Sequence, residues 1–135
     1  MAYKPLEEGY FVIKDEDQPV LIGSYSPSAD KYYYPIRKLC PVTSEPVEDA
    51  ELPTEGELYS WTYIEMPMMG AMPMGDQKGH GVGQIDLPNG VRIQSIIKGV
   101  QGDWEIGMKM RLALLPIKER GSNVMCSYCF EPVTD

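Results

Sequence analysis

The stretch that decides the fold is Gln84–Ile96, with the sequence QIDLPNGVRIQSI. Four apolar residues alternate with polar ones on either side of Asn89-Gly90, namely Ile85, Leu87, Val91 and Ile93. Alternation with a period of two is typical of a strand with one buried face. The Asn-Gly step supplies the positive φ angles of a type I′ turn. The stretch therefore predicts a β-hairpin.

Three other segments show the same alternation, one before the hairpin and two after it. A first strand is predicted from Leu58, with one face made of Tyr59, Trp61 and Tyr63. A fourth is predicted to place Met108, Met110, Leu112 and Leu114 on one face. A fifth is predicted to do the same with Val124, Cys126, Tyr128 and Phe130. Five short antiparallel strands favour a mainly β fold, a small closed OB-like barrel.

Residues 1–57 have a different character from the rest of the chain. They contain seven prolines and an acidic tract from Glu45 to Glu57. Because prolines interrupt regular structure, we expect an irregular N-terminal arm over 1–57, followed by the barrel over 58–135.

Composition and charge exclude several classes of protein. A chain of 135 residues fits one domain, and its net charge is −8. Residues 1–65 hold 13 acidic and 5 basic side chains, so the whole excess lies there. Nucleic acid is a poor partner for such a surface. The start MAYKPLEEGY has no leader pattern, the sequence lacks a long apolar run, and three cysteines do not form a disulfide framework. We expect a cytoplasmic protein without a membrane span.

The segment Glu65–Gly81, EMPMMGAMPMGDQKGHG, is predicted to be a long loop between the first two barrel strands. Its methionines either cap one end of the barrel or form an adaptable surface for a ligand or partner. We weigh the second interpretation slightly more, because long loops in compact domains usually have a function. The candidate substrate or partner residues are Met66, Met68, Met69, Met72, Met74, Lys78 and His80.

Few residues could carry catalysis. His80 is the single histidine, and a lone histidine is more often a hydrogen-bonded structural residue than a general base. Cys126 and Cys129 form a C-x-x-C pair, which could be plain strand residues, a redox pair, or half of a zinc site completed by Cys40 and His80. Plain strand residues are favoured, because residues i and i+3 of a strand face opposite ways. We predict no catalytic residues and no metal site.

The stretch Gly23–Glu45, GSYSPSADKYYYPIRKLCPVTSE, resembles a zinc ribbon. It is similar to the ribbon that precedes the OB barrel in a family of small acyl-CoA-associated proteins with a rubredoxin-like ribbon. Their motif is C-x2-C, an aromatic and Pro-Pro-Arg run, and Cys-Pro-x-Cys. The four ligand positions are occupied here by Ser26, Ala29, Cys40 and Thr43. The resemblance implies a degenerate, metal-free ribbon, since structural zinc takes four ligands.

The resemblance continues to the end of the chain. GELYSWTYIEMP is similar to the family's first barrel strand, DWEIGMKMRLAL to its fourth, and SYCFEPV to its closing strand. It implies an accessory subunit of a thiolase-like or related acyl-CoA enzyme or acyltransferase complex. Such a subunit would line the CoA or acyl entrance and hold the partner in shape. The complex would act on a coenzyme A thioester, and this chain would bind no cofactor of its own.

The tyrosine run of the ribbon is the predicted packing material and partner interface: Tyr32, Tyr33, Tyr34 and Arg37. Two alternative functions remain open, an OB-fold nucleic-acid-binding protein and a small enzyme acting alone on a CoA ester. The acidic balance disfavours the first, and the lack of a nucleophile and base pair disfavours the second.

Overall fold

The computed structural model of the chain describes residues 2–66 and 79–133. In chain order the strands are β1 (Ala2–Pro5), β2 (Phe11–Lys14), β3 (Gln18–Ser26), β4 (Lys31–Tyr33), β5 (Glu48–Glu51), β6 (Glu55–Ile64), β7 (His80–Asp86), β8 (Arg92–Ile97), β9 (Lys109–Arg120) and β10 (Asn123–Pro132). A short 3-10 turn at Asp15–Asp17 separates β2 from β3. Within these ranges, a helix with the length and apolarity needed to span a bilayer is not found.

The last five strands close into a barrel, which confirms the predicted mainly β, OB-like fold. The hydrogen-bonded circuit runs β6, β7, β8, β10, β9 and back to β6. All these pairs are antiparallel except β8 with β10, where Phe130 lies opposite Ile97. The prediction of purely antiparallel strands is wrong at this pair. Strands that alternate in direction around a ring of five cannot all be antiparallel, so one parallel pair is unavoidable.

The predicted hairpin is confirmed, but its turn is of another type. Asp86 pairs with Arg92, and the Leu87 amide donates to the Val91 carbonyl at 2.8 Å. Gly90 has a φ of 91°, and Asn89 does not have a positive φ. A type I′ turn needs two positive φ angles, whereas Pro88 fixes a negative φ at the start of this loop. The connection is therefore a three-residue loop with glycine in the left-handed position.

A β-bulge in β6 changes which aromatic residues face inward. The register shifts between Leu58 and Ser60, so that Tyr59 is an extra residue in the strand. Leu58 is fully buried, while Tyr59 is 49% exposed, with the Arg92 guanidinium 3.5 Å from its ring centre. The prediction that Tyr59 shares a face with Trp61 and Tyr63 is therefore wrong, because a bulge inverts the alternation.

Residues 2–51 precede the barrel but are not irregular. β3 pairs with β2 over its first half and with β4 and β5 over its second half. β1 lies parallel to β10, and Phe11, Leu21 and Leu52 belong to the same hydrophobic core as Leu58 and Phe130. The expectation of an irregular arm that contributes nothing to the core is therefore wrong. The division at residue 57 remains a prediction.

Trp104 lies in the connection between β8 and β9, and its side chain fills one end of the barrel. Its side chain is 3% exposed, and its Nε1–H donates to the Lys98 carbonyl at 3.0 Å. Gly81 on β7 faces this indole ring, and a Cβ added to Gly81 would overlap the ring. The glycine therefore provides the space into which the tryptophan packs.

Gly81→Ala tests this packing. The added methyl group must displace Trp104 or Ile97, so we expect a loss of about 1–3 kcal/mol in the free energy of unfolding. Urea unfolding followed by circular dichroism measures it. Gln94→Ala on the exposed face of β8 is the control, expected within about 0.5 kcal/mol of wild type. Equal stability of the two variants would contradict the packing role.

Candidate functional site

The candidate site lies at the barrel end where β6 leaves and β7 returns, at the base of the predicted Met-rich loop. His80 Nδ1–H donates to the Met66 carbonyl at 2.8 Å, and the Gly79 amide donates to the Tyr63 hydroxyl at 2.9 Å. These two bonds tie the ends of the loop together. Met68, Met69, Met72, Met74 and Lys78 lie outside the described residues, so only Met66 and His80 of the predicted loop set are placed.

Three aromatic rings form the floor beneath this loop base. Trp61 and Tyr63 project inward from β6 and meet Trp104, with ring centres 5.4 and 6.4 Å apart. Both β6 rings are partly buried and pack on the hydrophobic core. Packing of three large rings around one glycine gives this end of the barrel a fixed shape.

Exposed apolar side chains lie on the two segments that provide the floor, namely the end of β6 with the residues after it and the loop between β8 and β9. We call Ile64, Met66, Val100 and Ile106 the apolar rim; their exposed fractions are 38%, 63%, 53% and 71%. Three exposed carboxylates accompany them, those of Glu65, Asp103 and Glu105. Large exposed apolar side chains are candidates for contact with another molecule when a partner can cover several of them. The rim is therefore one candidate interaction surface of the barrel.

His80 is bonded to the backbone at the base of the loop. Its side chain is half-buried, and its one recorded hydrogen bond is to the backbone carbonyl of Met66. Within residues 2–66 and 79–133, neither a carboxylate nor a nucleophilic hydroxyl or thiol is hydrogen-bonded to the imidazole. A general base needs such an orienting partner. The geometry is that expected of a hydrogen-bonded structural histidine, and the role of His80 remains a prediction.

The tyrosine run is mainly engaged within the chain. Tyr32 packs against Tyr25 with tilted rings whose centres are 4.7 Å apart, and Arg37 lies 5.6 Å from the centre of the Tyr33 ring. Tyr34 packs edge-on against Tyr128, its hydroxyl is buried without a hydrogen-bond partner among the described residues, and burial raises its pKa. The contact of Tyr34 with Tyr128 attaches this segment to β10. As a partner interface, the set Tyr32, Tyr33, Tyr34 and Arg37 remains a prediction.

The four positions of the degenerate ribbon come together in two facing turns. The Ser28 hydroxyl bridges them, 3.2 Å from Ser26 Oγ and 2.6 Å from Thr43 Oγ1. The Ala29 amide donates to Ser26 Oγ at 3.2 Å, and the Val42 amide donates to Cys40 Sγ at 3.4 Å. Hydroxyl groups and one thiol thus hold the two turns, in the places where a ribbon would have thiolates.

Cys40 has an unusual thiol. It is 1% exposed, but the two turns cover it, and it is not part of the barrel core. Burial acts to raise its pKa, while hydrogen bonds from the Ser26 and Thr43 hydroxyls and from the Thr43 and Val42 amides lower it, with a net result of about 6. Donors directed at a sulfur favour its thiolate form.

The C-x-x-C pair is buried in the sheet. Cys126 borders a cleft of about 280 Å³ beside Phe11 and Tyr128, and Cys129 Sγ lies 3.7 Å from the Ala113 and Leu114 carbonyls. Burial raises the pKa of Cys126, and that of Cys129 to about 12. Across the described ranges no three His, Cys, Asp or Glu side chains lie close enough to share a metal. The alternative zinc site of Cys40, His80, Cys126 and Cys129 is therefore not formed.

Sequence reasoning missed the residues that the loop between β8 and β9 contributes. Trp104 and the exposed Val100 and Ile106 lie in a Gly-punctuated segment without periodicity. A signal was present, since a large aromatic residue between two glycine-containing turns usually packs back on the core. The hydroxyl of Ser28 was also missed, because it is not at a ligand position of the ribbon.

The strand circuit defines a class: an OB-fold protein. Residues 23–45, which contain the two facing turns, precede the barrel and are called the ribbon-like unit from here on. Residues 49–115 match the family model "ChsH2, C-terminal OB-fold domain". This part of the chain is similar to the OB-fold domain of that family, and the predicted resemblance is confirmed. No curated protein sequence matches the chain.

Two solved structures share the fold at low sequence identity. The Ltp2-ChsH2(DUF35) aldolase contains a chain with a TM-score of 0.65 and 21% identity, and the alignment covers 84% of each chain. A DUF35-family protein of unknown function from Sulfolobus solfataricus has a TM-score of 0.50 and 18% identity, covering 80% of this chain and 76% of that one. Because the two alignments cover 84% and 80% of this chain, the fold likeness is not confined to the barrel.

We predict that the purified chain holds no stoichiometric zinc. Only Cys40 provides a thiolate at the four ribbon positions, and hydroxyl groups are weak ligands for a structural zinc. Elemental analysis measures the metal, and thermal unfolding with and without chelator is expected to give the same midpoint. One zinc per chain, or a midpoint that falls with chelator, would contradict the prediction.

The lowered pKa of Cys40 predicts a pH-dependent stability. Because its pKa falls from 9.0 to about 6 on folding, the thiolate contributes fully above pH 9 and its contribution is lost as pH falls towards 6. The difference in thermal midpoint between wild type and Cys40→Ser should therefore shift in favour of wild type from pH 6 to pH 9. A difference that stays constant over this range would show that the thiol does not ionise there.

Proposed function

We propose that the chain is a non-catalytic accessory subunit of an acyl-CoA enzyme complex, with its apolar rim turned towards a thiolase-like or related partner. The observation that carries the proposal is the apolar rim: four exposed apolar side chains on the segments that provide the aromatic floor. An exposed patch of this kind on a small barrel is stabilised when a partner covers it.

The absence of a catalytic arrangement in the described part of the site supports a binding role. His80 bonds to a backbone carbonyl, and the rings of the floor are packed against each other. The Tyr63 hydroxyl accepts from the Gly79 amide, and the Trp104 indole N–H donates to the Lys98 carbonyl. What the rim offers to a ligand is adaptable apolar area, together with the carboxylates of Glu65, Asp103 and Glu105.

The fold comparison supports an assembly with an enzyme. The structurally similar chain comes from the Ltp2-ChsH2(DUF35) aldolase, whose name joins two components. A family of small barrels that assemble with enzymes would be expected to expose an apolar docking area and to lack a nucleophile and base pair. We place the CoA or acyl entrance of the complex next to the rim, because OB barrels bind ligands at loops beside strands two and three, which are β7 and β8 here.

The proposal predicts that charges on the rim weaken the complex. Val100→Asp with Ile106→Asp would bury two unpaired carboxylates in an apolar contact, so we expect at least about a tenfold loss of affinity for the subunit that co-purifies with wild type. Isothermal titration calorimetry with that purified subunit measures it. Val12→Asp, an exposed valine on β2, is the matched control and should bind as wild type. A wild-type chain that is isolated without a stoichiometric partner would refute the proposal.

His80 provides a second prediction. Since its role is to close the loop base, His80→Ala should lower turnover by the assembled complex by less than about tenfold, whereas losing a general base costs about 10²- to 10⁴-fold. Steady-state rates with a CoA thioester measure the effect. A loss above about a thousandfold would assign catalysis to this chain.

A further inference from the structure

The second surface of interest is the tip of the ribbon-like unit, on which neither the family match nor the fold assigns a role. We call residues 36–42, with the sequence IRKLCPV, the knuckle tip. Ile36, Leu39 and Val42 are 38%, 53% and 67% exposed, although Cys40 among them is buried. Three exposed aliphatic side chains within seven residues give this turn an apolar surface.

The knuckle tip is held in a defined shape by backbone bonds. The Arg37 amide donates to Ser24 Oγ at 2.8 Å, the Cys40 amide donates to the Glu45 carbonyl at 2.8 Å, and the Ser44 amide donates to the Cys40 carbonyl at 2.8 Å. Leu39 also bridges to Pro46. A segment that is ordered before binding loses little conformational entropy on docking. The aliphatic side chains are thus presented on a preformed turn.

The charge of the tip is opposite to that of its surroundings. Arg37 and Lys38 are exposed, and neither takes part in an ion pair with a described residue. The tip contains no acidic residue, although residues 1–65 hold 13 acidic and 5 basic side chains. Two cations beside aliphatic side chains fit an apolar depression bordered by carboxylates.

We propose that the knuckle tip is a second docking surface, which inserts into an acidic-rimmed apolar depression on the partner subunit of the complex. This inference rests on the proposed function, because the partner is the same one that covers the apolar rim. The rim carries carboxylates and the tip carries cations. A partner that meets both surfaces therefore needs opposite charges at the two contacts, which fixes the orientation of this chain.

A second copy of the chain is the competing occupant, since its own acidic tract at residues 45–57 could receive the cations. Each copy has a net charge of −8, so two copies repel each other, and a partner of another composition does not carry that penalty. The charge balance thus favours a distinct subunit.

Two pairs of substitutions separate the apolar and the charged parts of the contact. Leu39→Ser with Val42→Ser removes apolar area, and we expect at least about a tenfold weaker complex, mainly through faster dissociation. Arg37→Glu with Lys38→Glu is expected to slow association at least about tenfold at 20 mM salt, with a much smaller effect at about 0.5 M. Surface plasmon resonance with the purified partner subunit measures both rates.

Matched controls are Val12→Ser for the apolar pair and Lys118→Glu for the charged pair, both on exposed strand positions away from the tip. Circular dichroism and the thermal midpoint establish that each variant is folded. Wild-type rates for both tip variants, with a partner present, would overturn this inference and leave the proposed function intact. A wild-type chain with no partner would overturn both. A concentration-dependent homodimer in sedimentation that the tip substitutions abolish would assign the tip to self-association and overturn the inference.

Discussion

The packing of Trp104 into the space above Gly81 is the contact on which the candidate site depends. The indole fills the barrel end, and Trp61 and Tyr63 then pack against it. Trp104 turns inward from the loop between β8 and β9, whereas Val100 and Ile106, on either side of it in the sequence, are exposed. A stable core and an exposed rim therefore arise from the same loop, because burying the middle of a short segment forces its flanks outward.

The two turns of the ribbon-like unit must also be held in shape, and their described residues form hydrogen bonds where a ribbon would have metal ligands. In a zinc ribbon, metal binding supplies much of the folding free energy. Here the bridging Ser28 hydroxyl and the bonds to Cys40 Sγ connect the two turns, and Tyr34 attaches the unit to β10. Individual hydrogen bonds contribute about 1 kcal/mol each, far less than a structural zinc. The unit is consequently dependent on its packing against the barrel, and Phe11 and Leu21 supply this by joining the common core.

Much of the barrel could be predicted from alternation, because one face of each strand is buried. The inward positions of Ile85, Ile93, Met110 and Leu112 follow directly from that pattern. The orientation of Tyr59 does not, since a bulge depends on the register with β7 and leaves no mark in local periodicity. The prolines of residues 1–57 conceal the N-terminal strands, because a proline can also lie within a strand. Pro19 in fact lies within β3, at its pairing with β2. The rim residues of the loop between β8 and β9 could not be predicted, and neither could Trp104. A loop has no repeating pattern that distinguishes an inward-facing residue from its exposed neighbours.

The chain contains two tryptophans in all, and both are in the aromatic floor, with ring centres 5.4 Å apart. Tryptophan emission of the isolated chain therefore originates at one place, beside the surface proposed to meet the partner. Rings at this distance also couple electronically, and their near-ultraviolet circular dichroism depends on the angle between them, which is 60° here. The protein thus carries an internal optical label for the barrel end, and this label needs no dye and no engineered residue.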